Sequence, residues 1–444
     1  MKTKSLKKIF FGLLFAVVPF TLSSCSAPAT VLNTIDVWKK YNTLGSYIDD
    51  SPSSALKWIS QRTFSLRFLL TPKDSEDKKM KYEFGTAWIY AKDDTSNFTY
   101  YLATNIHVAN SLSLLTSETE SYQESDWATS KKVQKYDFEG LALNFISEKN
   151  VSSTLRKNDG SMDYIYEYPD GQDNYITLLN ADKSPQRPEI VYTATGKNLV
   201  KNVTGSKSFF DPKTKKEIKN PAVDFALIKV DFESVINEKN RSGISVKEFL
   251  QTYDANPTFF SSSKTVSYDN SFYLGGFPED NQNWKPNRNV AWLGLNNIKL
   301  TEENNFVSLS YDNKTSKYAV FDNPKGIMPL ISSISYVNIE QNNEKYLWYR
   351  NAANQLIIGG GSLGGGSSGS MLISYKNNQY YVVGIYWGAY EFTTRQGINY
   401  SYGAVDLLRT NTYYIENQDR GITTRFEYPS YDVIGAAGIA VREI

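Results

Sequence analysis

The chain of 444 residues contains one cysteine, Cys25, and one histidine, His107. A single thiol excludes an intramolecular disulfide, so burial of apolar side chains must hold the fold together. Zinc prefers thiolate and imidazole ligands, and the scarcity of both disfavours a zinc site. Asp93-Asp94 offers carboxylates to calcium, but the pair is more typical of a hairpin tip. Neither a metal nor a cofactor is therefore expected.

Long hydrophobic runs are also scarce, and the N-terminal one, residues 9–20, is too short for a stable membrane span. It follows four lysines and precedes Leu22-Ser23-Ser24-Cys25, which is typical of a lipoprotein signal peptide. The alternative interpretations are an uncleaved membrane anchor for residues 9–20 and a buried core position for Cys25. Because Cys25 directly follows the signal, lipidation is favoured, and acyl chains would hold the protein on the outer face of the cell membrane.

An excess of basic side chains is absent as well. Removal of residues 1–24 would leave 44 basic and 47 acidic side chains, a net charge of −3. This balance favours neither nucleic acid nor an anionic membrane surface as a partner. The expected partners are a protein or peptide substrate, the membrane through the lipid anchor, and a surface protein that presents the substrate.

Short β runs separated by Asn, Asp, Gly and Lys turns dominate the rest of the chain and predict a mainly β fold. One clear helix is predicted at 245–253, because Ser245 and Glu248 form a capping box ahead of apolar residues. The apolar stretch at 433–441 is too short to cross a bilayer and is predicted to be a packed tail.

Three segments carry the residue types of a nucleophilic serine system. His107 lies in a strand-like run, Asp224 precedes an apolar strand, and the Gly-rich segment 359–369 runs into an apolar hairpin. Taken singly, each segment has an ordinary structural interpretation: a surface or core histidine, a solvated strand start and a flexible linker, respectively. A linker should lead into polar sequence, whereas glycines ahead of a buried hairpin suit a tight nucleophile loop. The chain order His107, Asp224, Ser368 is that of the chymotrypsin triad.

The same segments resemble trypsin-like and HtrA-like serine proteases. Residues 85–90 and 102–108 are similar to their first-barrel hairpin, and 224–227 is similar to their aspartate strand. Residues 366–370, Gly-Ser-Ser-Gly-Ser, resemble the Gly-x-Ser-Gly-Gly nucleophile loop, and 274–278 resembles the Gly-x-Pro turn that opens the second barrel. Together with the lipoprotein signal, these segments make the chain similar to the mycoplasma peptidase lipoproteins that include the mycoplasma immunoglobulin proteases.

The resemblance, which extends over about residues 60–410, implies a two-barrel chymotrypsin-like fold with an insertion in the first barrel and a few short helices. The predicted organisation is a signal peptide at 1–24, a tether with short helices at 25–60, a first β-barrel at 61–235 with an insertion near 110–220, a connecting helix at 236–255, a second β-barrel at 256–410 and a packed tail at 411–444.

The resemblance also implies a serine endopeptidase that acts on extracellular proteins, host immunoglobulin-like proteins among them. Ser368 would be the nucleophile, His107 the general base and Asp224 the group that orients the imidazole. The backbone N–H groups of Gly366 and Ser368 would form the oxyanion hole.

The substrate pocket is expected at Ser362, Trp387 and Gly388, with no fixed charge at Ser362. Ser367 and Ser370 are rival nucleophiles. Ser367 also departs from the Asp or Asn of many relatives, which excludes a trypsin-like salt bridge to a new N-terminus.

Two other classes of protein compete with the peptidase. An adhesin or host-protein binder on a protease-like scaffold would carry the same three residues in an idle arrangement. A solute-binding lipoprotein would need alternating helices and strands, and this pattern does not appear in the sequence.

Overall fold

The computed structural model describes part of the chain. The described residues are 54–72, 80–113, 136–146, 164–165, 175–200, 209–210, 217–218, 221–240, 243–264, 271–278, 293–299, 308–312, 317–321, 328–329, 335–339, 346–359, 363, 365–393, 399–411, 413–419, 422–428 and 430–444. The predicted signal peptide, the lipidation site Cys25 and the pocket residue Ser362 lie outside them.

Strands make up most of the described chain. In chain order they are β1 (Thr63–Pro72), β2 (Lys81–Lys92), β3 (Thr99–Thr104), β4 (Tyr136–Asn144), β5 (Tyr164–Ile165), β6 (Ile176–Thr177), β7 (Glu189–Thr195), β8 (Phe209–Phe210), β9 (Glu217–Ile218), β10 (Pro221–Asp231), β11 (Phe259–Phe260), β12 (Ser271–Gly276), β13 (Leu293–Lys299), β14 (Ser308–Asp312), β15 (Lys317–Phe321), β16 (Met328–Pro329), β17 (Ser335–Ile339), β18 (Tyr346–Asn351), β19 (Asn354–Gly359), β20 (Met371–Lys376), β21 (Gln379–Thr393), β22 (Asn399–Leu407), β23 (Arg409–Thr410), β24 (Tyr413–Asp419), β25 (Ile422–Tyr428), β26 (Tyr431–Asp432) and β27 (Arg442–Glu443).

Helices in the described residues are short. They are α1 (Ser54–Ser60), α2 (Ile106–Ser113), α3 (Gly196–Val200), α4 (Val246–Ala255) and α5 (Val433–Ala437), with a 3-10 turn at Glu233–Val235.

Two large, mostly antiparallel sheets organise the fold. The first has the strand order β17-β18-β10-β3-β2-β1-β4-β6, with β7 also on β10. The second has the order β16-β19-β22-β21-β20-β12-β13-β5, with β11 joining β21 to β27. The predicted mainly β class is confirmed. Within the described residues neither sheet closes into a barrel, so the closed two-barrel form predicted from the resemblance is not seen.

The first sheet draws strands from distant parts of the chain. The interval near 110–220, where an insertion is predicted, contributes β4, β6 and β7. The strands β17 and β18 come from beyond residue 334, and β18 pairs with β10 in parallel at Pro221↔Arg350 and Ala222↔Asn351. The C-terminal half of the chain therefore reaches the strand that carries Asp224.

Strand alternation divides the core into two clusters. On β2, Ala87 and Ile89 point into a cluster with the first strand, whereas Trp88 points to the opposite face. There Trp88 shares a cluster with Ile373 and Ile385 of the second sheet. Because successive side chains of a strand face opposite sides, a single strand serves both clusters. The cluster that contains Trp88 therefore joins the two sheets.

The predicted helix at 245–253 is confirmed as α4. Ser245 caps it: Glu248 N donates to Ser245 Oγ at 3.2 Å, and Ser245 N donates to the Glu248 carboxylate at 2.7 Å. Phe249 and Leu250 are buried, as the capping box and the apolar pair indicate. The helix is thereby fixed against the first sheet's own cluster.

Replacing Ser245 with alanine should lower the free energy of unfolding by about 1 kcal/mol, because the first turn loses its side-chain acceptor. Urea unfolding followed by circular dichroism measures the change. Thr252→Ala, on the exposed side of the same helix, should stay within about 0.5 kcal/mol of the wild type. Equal losses in the two variants would show that the cap contributes nothing specific.

Candidate active site

Asp224 lies near the start of β10, in the middle of the first sheet, and is completely buried. The strand pairs with β3 so that Ala226 faces Thr104, the last residue of β3. The chain leaves β3 at this point and turns into α2 at Ile106. This juxtaposition places the start of α2 directly over the Asp224 carboxyl group.

His107 lies in the first turn of α2, so the prediction that it sits in a strand-like run was wrong. The strand ends because the Asp224 carboxyl group supplies a helix cap across the sheet. Asp224 Oδ1 accepts hydrogen bonds from Ile106 N at 2.7 Å and from His107 N at 3.3 Å. Asn105 Nδ2 adds a bond to Asp224 O at 2.6 Å. The first N–H groups of a helix need such acceptors.

The second carboxylate oxygen reaches the imidazole. Asp224 Oδ2 lies 2.6 Å from His107 Nδ1, and the histidine side chain is 17% exposed. One oxygen therefore fixes the backbone of α2 while the other fixes the imidazole ring, which makes the relative orientation of the two side chains rigid. This contact brings two of the three predicted triad residues together.

The three serines of the 366–370 loop differ in exposure. Ser367 and Ser370 are completely buried, whereas Ser368 is partly exposed. The Ser370 hydroxyl is also engaged, because it donates to Ser367 O at 2.5 Å. Of the three, Ser368 is thus the one that a substrate can reach.

Positive φ angles shape this loop. Gly366 has φ +76° and Gly369 has φ +97°, values that side chains rarely adopt. A Cβ on Gly369 would also lie 1.9 Å from Thr86 O, so the loop packs directly on the backbone of β2. Thr86 N donates to Ser368 O at 2.8 Å, and Thr104 Oγ1 donates to Thr86 O at 2.7 Å. These contacts tie the Ser368 loop to the end of β3, three residues before the histidine.

Gly369→Ala should displace the loop, since the new methyl group overlaps a backbone oxygen that cannot move without breaking β2. The strain at positive φ alone costs about 1–3 kcal/mol. Thermal unfolding should show a lower midpoint. Gly243→Ala is a matched control, because Gly243 has φ +78° but open space around its Cβ position. A Gly369→Ala loss no larger than that of Gly243→Ala would contradict the tight packing.

Ser370 stands where relatives of the nucleophile motif carry glycine, and the structure accommodates it. A Cβ on Gly276 would lie 1.7 Å from Ser370 Oγ, so the serine side chain fills the space beside this glycine. Gly276 belongs to the Gly-Gly-Phe-Pro segment that was singled out from the sequence. Phe277 N donates to Thr86 Oγ1 at 3.0 Å, which joins this segment to the loop.

The backbone N–H groups of the loop have different partners. Gly369 N donates to Tyr386 O at 2.8 Å, and Ser370 N donates to Ser367 O at 2.9 Å. No acceptor among the described residues pairs with Gly366 N or Ser368 N. These are the two groups predicted to form the oxyanion hole.

Ser368 Oγ donates its hydrogen bond to Trp387 O, at 3.2 Å. The structure therefore pairs His107 with Asp224 but does not join Ser368 to His107 by a hydrogen bond. Trp387 is buried and Gly388 is half-buried, and both lie on β21 beside the serine.

A strand edge begins at the same place. The β20–β21 ladder ends at Met371↔Ile385, whereas the β21–β22 ladder continues to Thr393↔Asn399. Among the described residues, β21 therefore has a partner strand on one side only beyond Tyr386. The register shift between Tyr386 and Gly388 places a bulge at Trp387. Bulges of this kind re-aim side chains next to active sites.

A fourth residue of the cluster, Asp406 on β22, was missed by the sequence analysis. It is completely buried, and its Oδ2 accepts bonds from Asp224 N at 2.9 Å and Asn351 Nδ2 at 2.7 Å. Its Oδ1 accepts a bond from Gln355 Nε2 at 2.7 Å. An acid inside the apolar run Ala-Val-Asp-Leu-Leu was the signal that could have identified it.

Burial raises the pKa of Asp406 to about 8, and the charge of Asp224 adds to the rise, while the three hydrogen bonds oppose it. A raised folded-state pKa means that folding takes up a proton, so this contribution to stability is lost as pH rises toward 8. Wild type should accordingly lose stability relative to Asp406→Asn between pH 5 and pH 9. Urea unfolding of both proteins across that range measures the difference, and a constant difference would contradict the raised pKa.

Neither a metal centre nor a membrane span is evident in the part of the chain that the structure describes. No group of three or more histidine, cysteine or acidic side chains gathers there in a way that could hold a metal ion. No described helix is long and apolar enough to cross a membrane.

Comparison with known proteins identifies the family. Residues 53–388 match the family model described as mycoplasma immunoglobulin protease. The chain belongs to that family. The match includes His107, Asp224 and Ser368.

Two individual proteins are similar over part of their length. An uncharacterized lipoprotein of Mycoplasma pneumoniae is 31% identical over 139 residues, which covers 29% of this chain and 43% of the relative. A solved structure titled "Structure of the mycoplasma MIB and MIP proteins" shares 14% identity with a TM-score of 0.42, covering 76% of this chain and 54% of the other. The chain therefore spans about half the length of these relatives.

Proposed function

We propose that this protein is a surface-anchored serine endopeptidase that cleaves extracellular proteins, host immunoglobulin-like proteins among them. The observation that carries the proposal is the contact between His107 Nδ1 and Asp224 Oδ2, at 2.6 Å, in a buried part of the first sheet. The accessible serine of the Gly-rich loop supports it, since the loop is hydrogen-bonded to the strands that position the histidine.

In the proposed mechanism Ser368 Oγ attacks the carbonyl carbon of a peptide bond. Because Asp224 holds Nδ1, His107 Nε2 is the nitrogen that takes the serine proton and returns it to the leaving amine. The serine hydroxyl must first turn from Trp387 O toward the imidazole. Catalytic hydrogen bonds are often long or misaligned in a substrate-free enzyme and tighten when substrate binds. Water then releases the acyl group by the reverse sequence of proton transfers.

The N–H groups of Gly366 and Ser368 are the proposed oxyanion donors. Gly366 at φ +76° and Gly369 at φ +97° give this loop the left-handed backbone angles of a tight turn. A donor of this kind contributes about 3 kcal/mol to the stability of the transition state. The absence of an intramolecular acceptor for either group among the described residues is consistent with this role.

The edge of β21 beyond Tyr386 is the proposed binding site for an extended substrate. A peptide that adds to this edge would pair with the backbone at Trp387 and Gly388, next to the Ser368 hydroxyl. Ser362 remains the proposed base of the primary pocket. Because a serine there carries no charge, cleavage only after lysine or arginine would count against this assignment.

The two-barrel chymotrypsin-like organisation and its domain limits also remain proposals. Supporting them, the strands that carry Asp224 and lead to His107 lie in the first sheet, and the Ser368 loop leads into the second. The helix α4 at the proposed connection lies in sequence between β10 and β11.

The proposed anchor is diacylglycerol on Cys25, which would place the enzyme on the outer face of the cell membrane. The lipoprotein relative supports this location. A second surface protein that holds the substrate is a further proposed partner, since one weak strand-edge interaction alone gives modest affinity.

The direct test is incubation of the mature protein with immunoglobulin G, followed by electrophoresis and N-terminal sequencing of fragments. Cleavage by the wild type and not by Ser368→Ala supports the peptidase. Immunoglobulin that binds tightly to both proteins without being cut would support the alternative, an idle protease-like adhesin. The bond from Ser368 Oγ to Trp387 O is the observation that favours that alternative.

A further inference from the structure

The buried carboxyl group of Asp406 lies behind the His107–Asp224 pair, and the proposed mechanism does not use it. It is completely inaccessible to solvent and takes no part in a salt bridge among the described residues. Burying a carboxyl group is unfavourable unless hydrogen bonds compensate for the loss of water. Because Asp406 is buried at this cost and is hydrogen-bonded to Asp224, a proposed catalytic residue, a role in the site is expected.

Its three donors come from three separate strands. Asp224 N belongs to β10, Asn351 Nδ2 to the end of β18 and Gln355 Nε2 to β19. The first two strands are in the first sheet, and β19 is in the second along with Asp406 itself. A single side chain thus connects both sheets at the residue whose carboxylate contacts the imidazole.

The donors are themselves held in place. Asn351 Oδ1 accepts from Ala353 N at 2.9 Å, which fixes the orientation of this amide so that its Nδ2 must point at Asp406. The adjacent backbone bond, Ala352 N to Ala222 O at 2.8 Å, holds the start of β10 two residues before Asp224. Two sets of hydrogen bonds therefore hold the backbone of Asp224. One is the bond from Asp224 N to Asp406, and the other is the bond from Ala352 N to the start of β10.

We infer that Asp406 is a positioning residue: its carboxyl group fixes the backbone of Asp224, and through it the hydrogen bond between Asp224 and His107. This inference rests on the proposed function for its catalytic meaning. Its structural content, that Asp406 controls which imidazole nitrogen carries the proton, can be measured without any substrate.

The charged and titratable surroundings of Asp406 are few. Asp224 faces it from β10, and Tyr431 of β26 lies close enough for their charges to interact. The hydroxyl of Tyr431 donates to Leu407 O at 2.9 Å. The amide donors carry no charge, so substitutions at Asp406 change hydrogen bonding and one charge at most.

The single histidine makes the test unambiguous, because ¹⁵N-histidine labelling of the full mature chain gives signals from His107 alone. Ring nitrogen shifts report the fraction of imidazole protonated at Nδ1, which is set by the acceptor that Nδ1 meets. The measurement is made in wild type, Asp406→Ala and Asp406→Asn, with circular dichroism to verify folding. Asparagine keeps an oxygen for Asp224 N and Asn351 Nδ2 and removes the ionisable group.

Positioning predicts that the Nδ1-protonated fraction falls by at least about half in Asp406→Ala and stays near wild type in Asp406→Asn. Should Asp406→Ala fail to fold, Asp406→Glu replaces it: the carboxyl group is kept but its oxygens are displaced by one methylene, and the same fall is expected. Unchanged tautomers in the alanine or glutamate variant, or an equal change in the alanine and asparagine variants, would overturn the inference.

Thr410→Val is the matched control, since it removes a buried acceptor from Asn354 Nδ2 on the same sheet without contact to Asp224. It should lower stability and leave the His107 tautomer unchanged. A loss of the tautomer signal in this control as well would mean that the effect is general destabilisation, which overturns the inference. Fluorophosphonate labelling of the wild type, run separately, distinguishes failure of the proposed function from failure of this positioning role.

Discussion

Ser368→Ala is expected to lower the rate of peptide-bond cleavage by about 10⁶-fold, the effect seen when a triad serine is removed elsewhere. The reason is chemical, since no other hydroxyl in the loop can replace it. Ser370 Oγ is buried and donates to Ser367 O, and Ser367 is also completely buried. Cleavage of a protein substrate, measured as kcat/KM, gives the size of the loss.

Ser367→Ala is the matched control for this substitution. The Ser367 hydroxyl makes no hydrogen bond among the described residues, so its removal leaves the loop intact. We expect kcat/KM within about three-fold of the wild type, because a buried group without a partner contributes little when lost. Loss of all activity in Ser367→Ala or Ser370→Ala, with activity retained in Ser368→Ala, would show that Ser368 is not the nucleophile.

Asp224→Asn is expected to lower kcat by about 10⁴-fold, as the equivalent change does in a serine protease triad. Ile106 N and His107 N both donate to one oxygen of this side chain, so the asparagine oxygen must stay on that side. Its NH₂ group would then face His107 Nδ1 and make that nitrogen an acceptor. The proton would move to Nε2, the nitrogen that has to accept the serine proton.

The control is Asp254→Asn, the same chemical change at a surface acid that binds Lys92 and Tyr100. It should leave kcat unchanged within about two-fold, because exposed ion pairs contribute little. Pre-steady-state measurements separate the acylation step from product release. A loss in Asp224→Asn below about ten-fold would mean that the imidazole takes its orientation from another group.

The parts of the site that the sequence predicts well are those that local chemistry determines. A glycine-rich turn ahead of an apolar hairpin could be recognised, and the loop does lead into the β20–β21 hairpin. The capping box at Ser245 predicted α4 because both partners lie within one turn. In each case the deciding interactions connect residues that are close in the chain.

Contacts between distant segments could not be predicted in the same way. The run that contains His107 has the apolar pattern of a strand, but the strand stops at Thr104 and the Asp224 carboxyl group, 117 residues from His107, caps the helix that begins at Ile106. Asp406 stands out in the sequence only as an acid inside an apolar run, and its contact with the site emerges when β22 is placed beside β19 and Asp224 N is found 2.9 Å from its carboxyl group. The pairing of β18 with β10 likewise depends on packing that no local pattern encodes.

The most direct measurement of the central claim is labelling of the mature protein with a fluorophosphonate, followed by mass spectrometry of the labelled peptide. The proposed triad predicts one adduct, on Ser368, formed at a rate that His107→Ala lowers to background. A well-folded wild type that forms no adduct, or one that carries it on a serine outside the 366–370 loop, would contradict the account.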